Sequence, residues 1–356
     1  MKAAIHLSVL ATYIVAAQAT LAQGPLAPPA FPAPDPALNN LGQPIPNMKT
    51  LTQVEPRVPI SAAQTPGDVD ALFKITQPGS YYLTGNVTGV PDKHGIEIAA
   101  SDVTLDLNGF TIRSSNAPTD GITGITTAGV ARDGITIRNG RLFGWPDGAI
   151  AIATASRGAV LEQLVINSGA NSGGGVVVGV EARIFACTVT GANATGISTQ
   201  ERAVIEFCQV FNSAGGINVG NGSTVKNCLV RQNTGGVGIV AANSSAIEGN
   251  MVYGNASGIH VGTDCVVRGN TLESNNFGSP SVGILAQGSS NLIDSNAAYF
   301  NGTNIKAESG TSGNVVIRNM VHGGTAFSLG GQIVGPSITT AGTITSENPW
   351  ANFAPP

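Results

Sequence analysis

An all-β chain, wound as a single-stranded right-handed parallel β-helix with N- and C-terminal caps, is predicted by three features of this sequence. These are a short repeat, apolar columns within it, and ladders of matching turn residues. The repeat has a period of roughly 20 to 25 residues from Val204 onward. The phrase IEFCQVFN at Ile205 to Asn212 returns as VKNCLVRQN at Val225, IEGNMVYGN at Ile247 and VRGNTLESN at Val267. A second phrase runs between them: GIST at Gly196, GINV at Gly216, GIVA at Gly238, GIHV at Gly258, GILA at Gly283 and NIKA at Asn304. No segment of the repeat has room or periodicity for a helix.

Each column follows from the alternation of side chains along a strand. Ile205, Val225, Ile247, Val267 and Ile293 form one inward column, and Val210, Val230, Val252, Leu272 and Ala298 a second. The third, which closes the coil, is Ile197, Ile217, Ile239, Ile259, Ile284 and Ile305. Between the first two strands the turn carries Cys187, Cys208, Cys228, Asn250, Asn270 and Asn296, and five residues later come Asn233, Asn255, Asn275 and Asn301. Asn tolerates the left-handed backbone of tight turns, and stacked amides hydrogen-bond from rung to rung, so both ladders read as structural. Cys187, Cys208 and Cys228 then stand in for Asn as buried thiols, although a 4.8 Å rung spacing also permits one disulfide such as Cys187 to Cys208. Cys265 falls outside that column and has no evident partner.

The segments outside the repeat take their turn next. Residues 1–22 read as a signal peptide: Lys2, an apolar stretch from Ile5 to Ala17, then small residues at Ala17, Ala19 and Ala22. That stretch is too short to span a membrane, and no later run is long enough. Residues 23–66, rich in Pro, Ala and Asn, read as a disordered linker. The β-helix with its caps then covers residues 67–353, with Val69 to Leu83 as the first cap and Trp350 with Phe353 as an apolar plug over the last rung.

The repeat pattern resembles the pectin-lyase-like superfamily of right-handed parallel β-helices. The run FKITQPGSYYLTGNVTGVPDKHGIEIAASDVTLDLNGFTI (Phe73 to Ile112) and the NPWANF tail at Asn348 resemble secreted bacterial β-helix repeat proteins. The superfamily implies polysaccharide lyases, glycoside hydrolases and uronate epimerases, alongside binding and adhesion modules. The motifs that mark its known enzymes are missing here: no DPHE, no paired-Asp hydrolase motif and no Arg-x-Pro-x-x-Arg.

Charged residues are only 11% of the chain, and loss of residues 1–22 leaves 16 basic against 21 acidic residues, a net charge near −5. Nothing in that balance recommends nucleic acid. Function must reside in outward columns, since the inward ones are committed to packing. One outward column, Glu206, Lys226, Glu248, Arg268 and Asp294, alternates in sign and reads as a solvated ladder. The other, Phe211, Arg231, Tyr253, Glu273, Tyr299 and His322, alternates aromatic with ionisable groups, which suits sugar faces and hydroxyls. His260 and Lys306 face outward from the neighbouring column. A second patch comprises Asp92, Lys93 and His94 with Arg132, Asp133, Arg138, Arg141 and Asp147, where an enlarged loop could wall a cleft.

The expected protein is therefore an exported scaffold, secreted, periplasmic or at the cell surface, that is carbohydrate-binding or structural, with a polysaccharide or cell-surface glycan as partner. The alternative is a polysaccharide lyase-like enzyme acting on uronate-containing glycans. It would take its base from Tyr253, Tyr299, His322 or Lys306 and stabilise the enolate-like charge with Arg231 or a bound metal. Catalysis is left open by the residues. No Cys/His cluster calls for a metal site, no cofactor is expected, and calcium alone is left open as a ligand.

Overall fold

The computed structural model describes residues 56–115, 121–169, 173–279, 281–339 and 346–355. The expected signal peptide, residues 1–22, and residues 23–55 of the expected linker lie outside the described residues. Among the described residues every regular element is a strand. The strands form two parallel sheets, of twelve and twenty-four strands, in a solenoid of about eleven turns.

One turn shows how sequence becomes coil. Thr195–Thr199, carrying the Gly-Ile phrase, joins the twelve-stranded sheet, and Val204–Glu206 and Gln209–Phe211 join the larger one. Ile197, Ile205 and Val210 point inward and are buried, each stacked on its counterpart one rung on: Ile217, Val225 and Val230. The two columns of the larger sheet and the closing Ile column are thus in register as the repeat requires. Burying each such side chain contributes about 1.5–3 kcal/mol. The glycine of the phrase is demanded by close approach, because a Cβ on Gly216 would lie 2.0 Å from the carbonyl oxygen of Gly238.

All three corners of the turn follow one rule. A residue with left-handed backbone, Arg202 (φ 57°), Phe207 (φ 55°) or Asn212 (φ 53°), precedes an inward residue, Ala203, Cys208 or Ser213. Both expected ladders are present. Asn250 donates its amide to the Val225 carbonyl at 2.9 Å and to Asn270 Oδ1 at 3.0 Å, while its own Oδ1 accepts the Cys228 N–H at 2.9 Å. The ladder continues through Asn319 to Asn352. Asn233, Asn255, Asn275 and Asn301 repeat the pattern at the second corner. The third corner stacks Ala182, Ala203, Ser223, Ser245, Cys265, Asn291 and Asn314, each following a left-handed residue, which gives Cys265 the place in the coil that its sequence position alone did not reveal. All four cysteines are free and buried.

The early rungs are built differently. Thr136–Phe143 and Val160–Asn167 run eight residues through the first corner, and Trp145 lies wholly inside the coil with its indole N–H on the Ile112 carbonyl at 3.2 Å. Gly95 and Gly124 make that room, since a Cβ on either would sit 3.0 Å from the Trp145 ring.

Two expectations about the ends need correction. The coil starts before residue 67: Val58–Pro59 pairs with Tyr81 and Tyr82, and Ile60 is buried with its N–H on the Tyr82 carbonyl at 2.9 Å. Pro59 fits there because a terminal strand can spare one N–H. Trp350 is no plug, being half exposed with the Arg318 guanidinium 5.3 Å from its ring centre. Ala351, Asn352 and Ala354 are buried instead, and Asn352 extends the amide ladder.

Candidate functional site

Parallel register brings the aromatic-ionisable residues into a single outward column. Phe211 pairs with Arg231, Arg231 with Tyr253, Tyr253 with Glu273, Glu273 with Tyr299 and Tyr299 with His322. Each flanks a buried Val, Leu or Ala of the same strand, so pleating alone turns it to solvent. The Arg231 guanidinium lies 4.2 Å from the Phe211 ring centre and bonds to Gln232 Oε1. Tyr299 donates its hydroxyl proton to Met320 Sδ at 3.2 Å, and His322 meets the Phe300 ring edge-on at 5.3 Å.

Beside the middle of this column runs a groove of about 980 Å³. Tyr253 and Glu273 line it, with Gln232, Asn212 and Phe277 from the adjoining corner. It crosses five rungs, from Ala192 to Phe277, a length of about 19 Å at the strand spacing. Gln232 and Phe277 were missed by the sequence reading. A signal for Phe277 existed: Leu272 and its next-rung partner Ala298 are 26 residues apart, against 20 between Val210 and Val230, so that rung carries an enlarged corner. Phe277 sits on it, 64% exposed.

His260 and Lys306 occupy one column of the twelve-stranded sheet, with Leu285 between them, but His260 does not reach the groove. It is buried, its Nε2 lies 2.7 Å from Ser257 Oγ, and burial pushes its pKa down to about 4. The charge ladder from Glu206 to Asp294 is in register, and its ion pairs gather at one end. There Arg268 and Arg318 both bond to Asp294, whose side chain is buried. Burial raises the Asp294 pKa, but the bonds from Arg318 and Ser295 and the charge of Arg268 outweigh it and hold the carboxyl below its usual range.

The second patch divides. Asp92, His94 and Asp147 line a groove of about 830 Å³ across the twelve-stranded sheet, with Asp70, Lys74 and Glu97. His94 Nδ1 accepts the Thr123 N–H at 2.9 Å, and Lys74 Nζ bridges Glu97 at 2.9 Å and Asp68 at 2.7 Å. Lys93 bonds to the Asp68 carbonyl. Arg138 turns instead to Asp106 on the larger sheet, and Asp133 accepts the Arg157 N–H. Residues 116–120 of the enlarged loop lie outside the described residues.

Inside the coil, the thiols of Cys187, Cys208 and Cys228 donate to backbone carbonyls at 3.3–3.7 Å. The hydrogen bond with Cys208, and then burial, push the Cys187 pKa up; burial does the same for Cys265. Among the described residues no three His, Cys, Asp or Glu side chains form a group able to hold a metal ion, and no helix is long and apolar enough to cross a membrane.

Comparison with known proteins agrees with this architecture. The Dettilon tailspike protein gp208 superposes with a TM-score of 0.56 at 20% identity, over 74% of this chain and 60% of the tailspike, so this chain spans less than two thirds of its length. The A-module of the Azotobacter vinelandii mannuronan C-5 epimerase AlgE6 gives 0.48 at 13% identity, over 78% of this chain and 91% of that one. Both are parallel β-helices of the pectin-lyase-like type. A comparison with curated proteins gives no match. A family model described as periplasmic copper-binding protein (NosD) matches residues 129–319, just over half of the 356-residue sequence, and the chain belongs to the NosD family.

Proposed function

We propose that this protein is an exported β-helix scaffold that binds a polysaccharide along its surface. The observation that carries the reading is the groove from Ala192 to Phe277, where the exposed ring of Phe277 and the side of Tyr253 face a carboxylate and two side-chain amides. Flat rings stack on sugar faces while Glu273, Gln232 and Asn212 meet hydroxyls, and a groove crossing five rungs suits a chain rather than a single sugar. A family described as periplasmic supports export. At 20% identity the tailspike supports the fold alone.

One contact favours a lyase-like second reading: Arg231 and Tyr253 are register partners, so a cation and a phenol share one face a strand spacing apart. That is the minimum for removing a proton α to a uronate carboxyl. His260 contributes nothing to it, being buried and bonded to Ser257.

Copper, named in the family's description, does not fit the thiol and imidazole donors among the described residues. Thiolates suit Cu(I) and imidazoles suit Cu(II). Here the three stacked thiols form a line inside the coil and spend their protons on carbonyls. His94, His260 and His322 lie on separate rungs, each with its own neighbour: the Thr123 amide, Ser257 and the Phe300 ring.

The test is a glycan array run alongside an assay for new unsaturated uronate, with and without calcium. Binding without turnover, abolished by Phe277→Ala with Tyr253→Ala, supports the scaffold. Turnover lost on Tyr253→Phe or Arg231→Ala would replace it with the lyase reading, and silence in both assays would sink the polysaccharide reading.

A further inference from the structure

The column that holds the candidate groove continues well beyond the repeat. Thr88, Arg113, Phe143, Asn167 and Thr190 precede Phe211 in unbroken parallel register. A second outward column runs beside it through Thr111, Arg141, Val165, Thr188, Gln209 and Leu229. From the rung of Arg113 to that of Arg231 these two columns contain three guanidiniums and no carboxylate, and the first acid is Glu273. The adjacent face of the same sheet is the opposite: Asp106, Glu162, Glu206, Glu248 and Asp294 are interleaved with Arg138, Lys226 and Arg268. On a chain carrying more acids than bases, the rungs of this face from Arg113 to Arg231 hold no carboxylate in either column.

At the early end of that face Arg113 lies over the Phe143 ring, 4.6 Å from its centre, and Arg141 stands beside them on the Phe143 rung. Both arginines are exposed, and among the described residues neither has a carboxylate within 4 Å. Arg231 on Phe211 repeats the same stack five rungs further on, about 24 Å away at the strand spacing. A guanidinium held against a ring keeps its edge free for bidentate bonding to a carboxylate or sulfate while its orientation is already fixed.

We propose that Arg113, Arg141 and Phe143 form a second anchor for an anionic saccharide, and that the polymer runs along the solenoid axis from this anchor to Arg231 and the groove at Tyr253. The proposal rests on the polysaccharide-binding reading and adds the charge of the ligand and the far end of its track.

The test titrates the exported chain with a galacturonate oligosaccharide, its methyl ester as a neutral match, and a sulfated oligosaccharide of equal length, at low and physiological salt. At least one anionic ligand should bind ten-fold or more tighter than the neutral match, with the advantage shrinking in salt. Whether carboxylate or sulfate binds tighter identifies the anion. Arg113→Gln with Arg141→Gln, both exposed and outside the core, should remove most of the advantage, while Lys226→Gln on the adjacent face leaves it intact. Equal affinity for neutral and anionic sugars, or an advantage indifferent to the arginine pair, overturns the anchor while leaving polysaccharide binding in place. Failure of every sugar to bind overturns both.

Discussion

The early and late rungs of this solenoid turn the same corners with different chemistry. Up to about residue 166 the inward positions of the first and third corners hold apolar groups, as at Val103, Ile135 and Leu164, and Trp145 fills the coil. From Asn233 onward the first and second corners hold amides, with Cys187, Cys208 and Cys228 as the transition on the first, while the third corner keeps Ser245 and Cys265 until Asn291. An apolar corner is stabilised by volume and leaves buried hydroxyls such as those of Ser114 and Ser168 without a partner. An amide corner is stabilised by bonds that run from rung to rung, each side chain completing the one before. The comparison teaches that a parallel coil needs its corners filled but accepts either currency, and that early rungs should fail by cavities and late rungs by orphaned polar groups.

The largest expected effect comes from the early rungs. Trp145→Ala should cost about 3–5 kcal/mol, because Gly95 and Gly124 cannot fill the space it leaves. Urea denaturation would show it, and a loss under 1 kcal/mol would mean the early coil is not packed around that ring. In the late rungs Asn270→Ala should cost about 3 kcal/mol, since it strands the backbone N–H and side-chain amide of Asn250 together. If Cys208→Ala costs as much, the ladder's hydrogen bonds are not what sets the late corners apart.

His260 makes the late rungs sensitive to acid. Unfolded, its ring takes up a proton near pH 6.5, while the folded ring resists until about pH 4. Stability is therefore intact above pH 6.5 and drains as the pH falls through that window, by on the order of 3 kcal/mol in all. His260→Gln should flatten the profile between pH 6.5 and 4; an unchanged slope would place the acid sensitivity elsewhere. The smallest effect tests the transition itself. Cys228→Asn would offer an amide oxygen one rung after Cys208, as Asn250 does for Cys228, and should raise stability by about 1 kcal/mol. A loss instead would show that the corner there is shaped for sulfur.

How much could be read in advance follows from the same division. Where rungs recur at near-constant length, register is a matter of counting, so the columns of Ile205, Val210 and Ile197 and the outward run from Phe211 to His322 were legible. In the early rungs Arg113 and Phe143 are register partners 30 residues apart while Phe143 and Asn167 are 24 apart, and no period connects them. The third corner stayed hidden because Ala203, Ser223 and Cys265 share only small size, and the linker boundary was misplaced because proline content masked the edge strand at Val58. Trp350 resembled a plug by composition, yet its ring is half exposed and lies beside Arg318.

By itself the sequence determined the coil and its inward columns, because alternation and repeat length are local properties that parallel stacking merely multiplies. Only the tertiary structure decided which side chains from unequal rungs meet. The acid-free stretch of rungs from Arg113 and Arg141 to Arg231, the groove under Phe277 and the burial of His260 all depend on where each loop returns the chain to the sheet, and that distance is measured across the coil rather than along the chain.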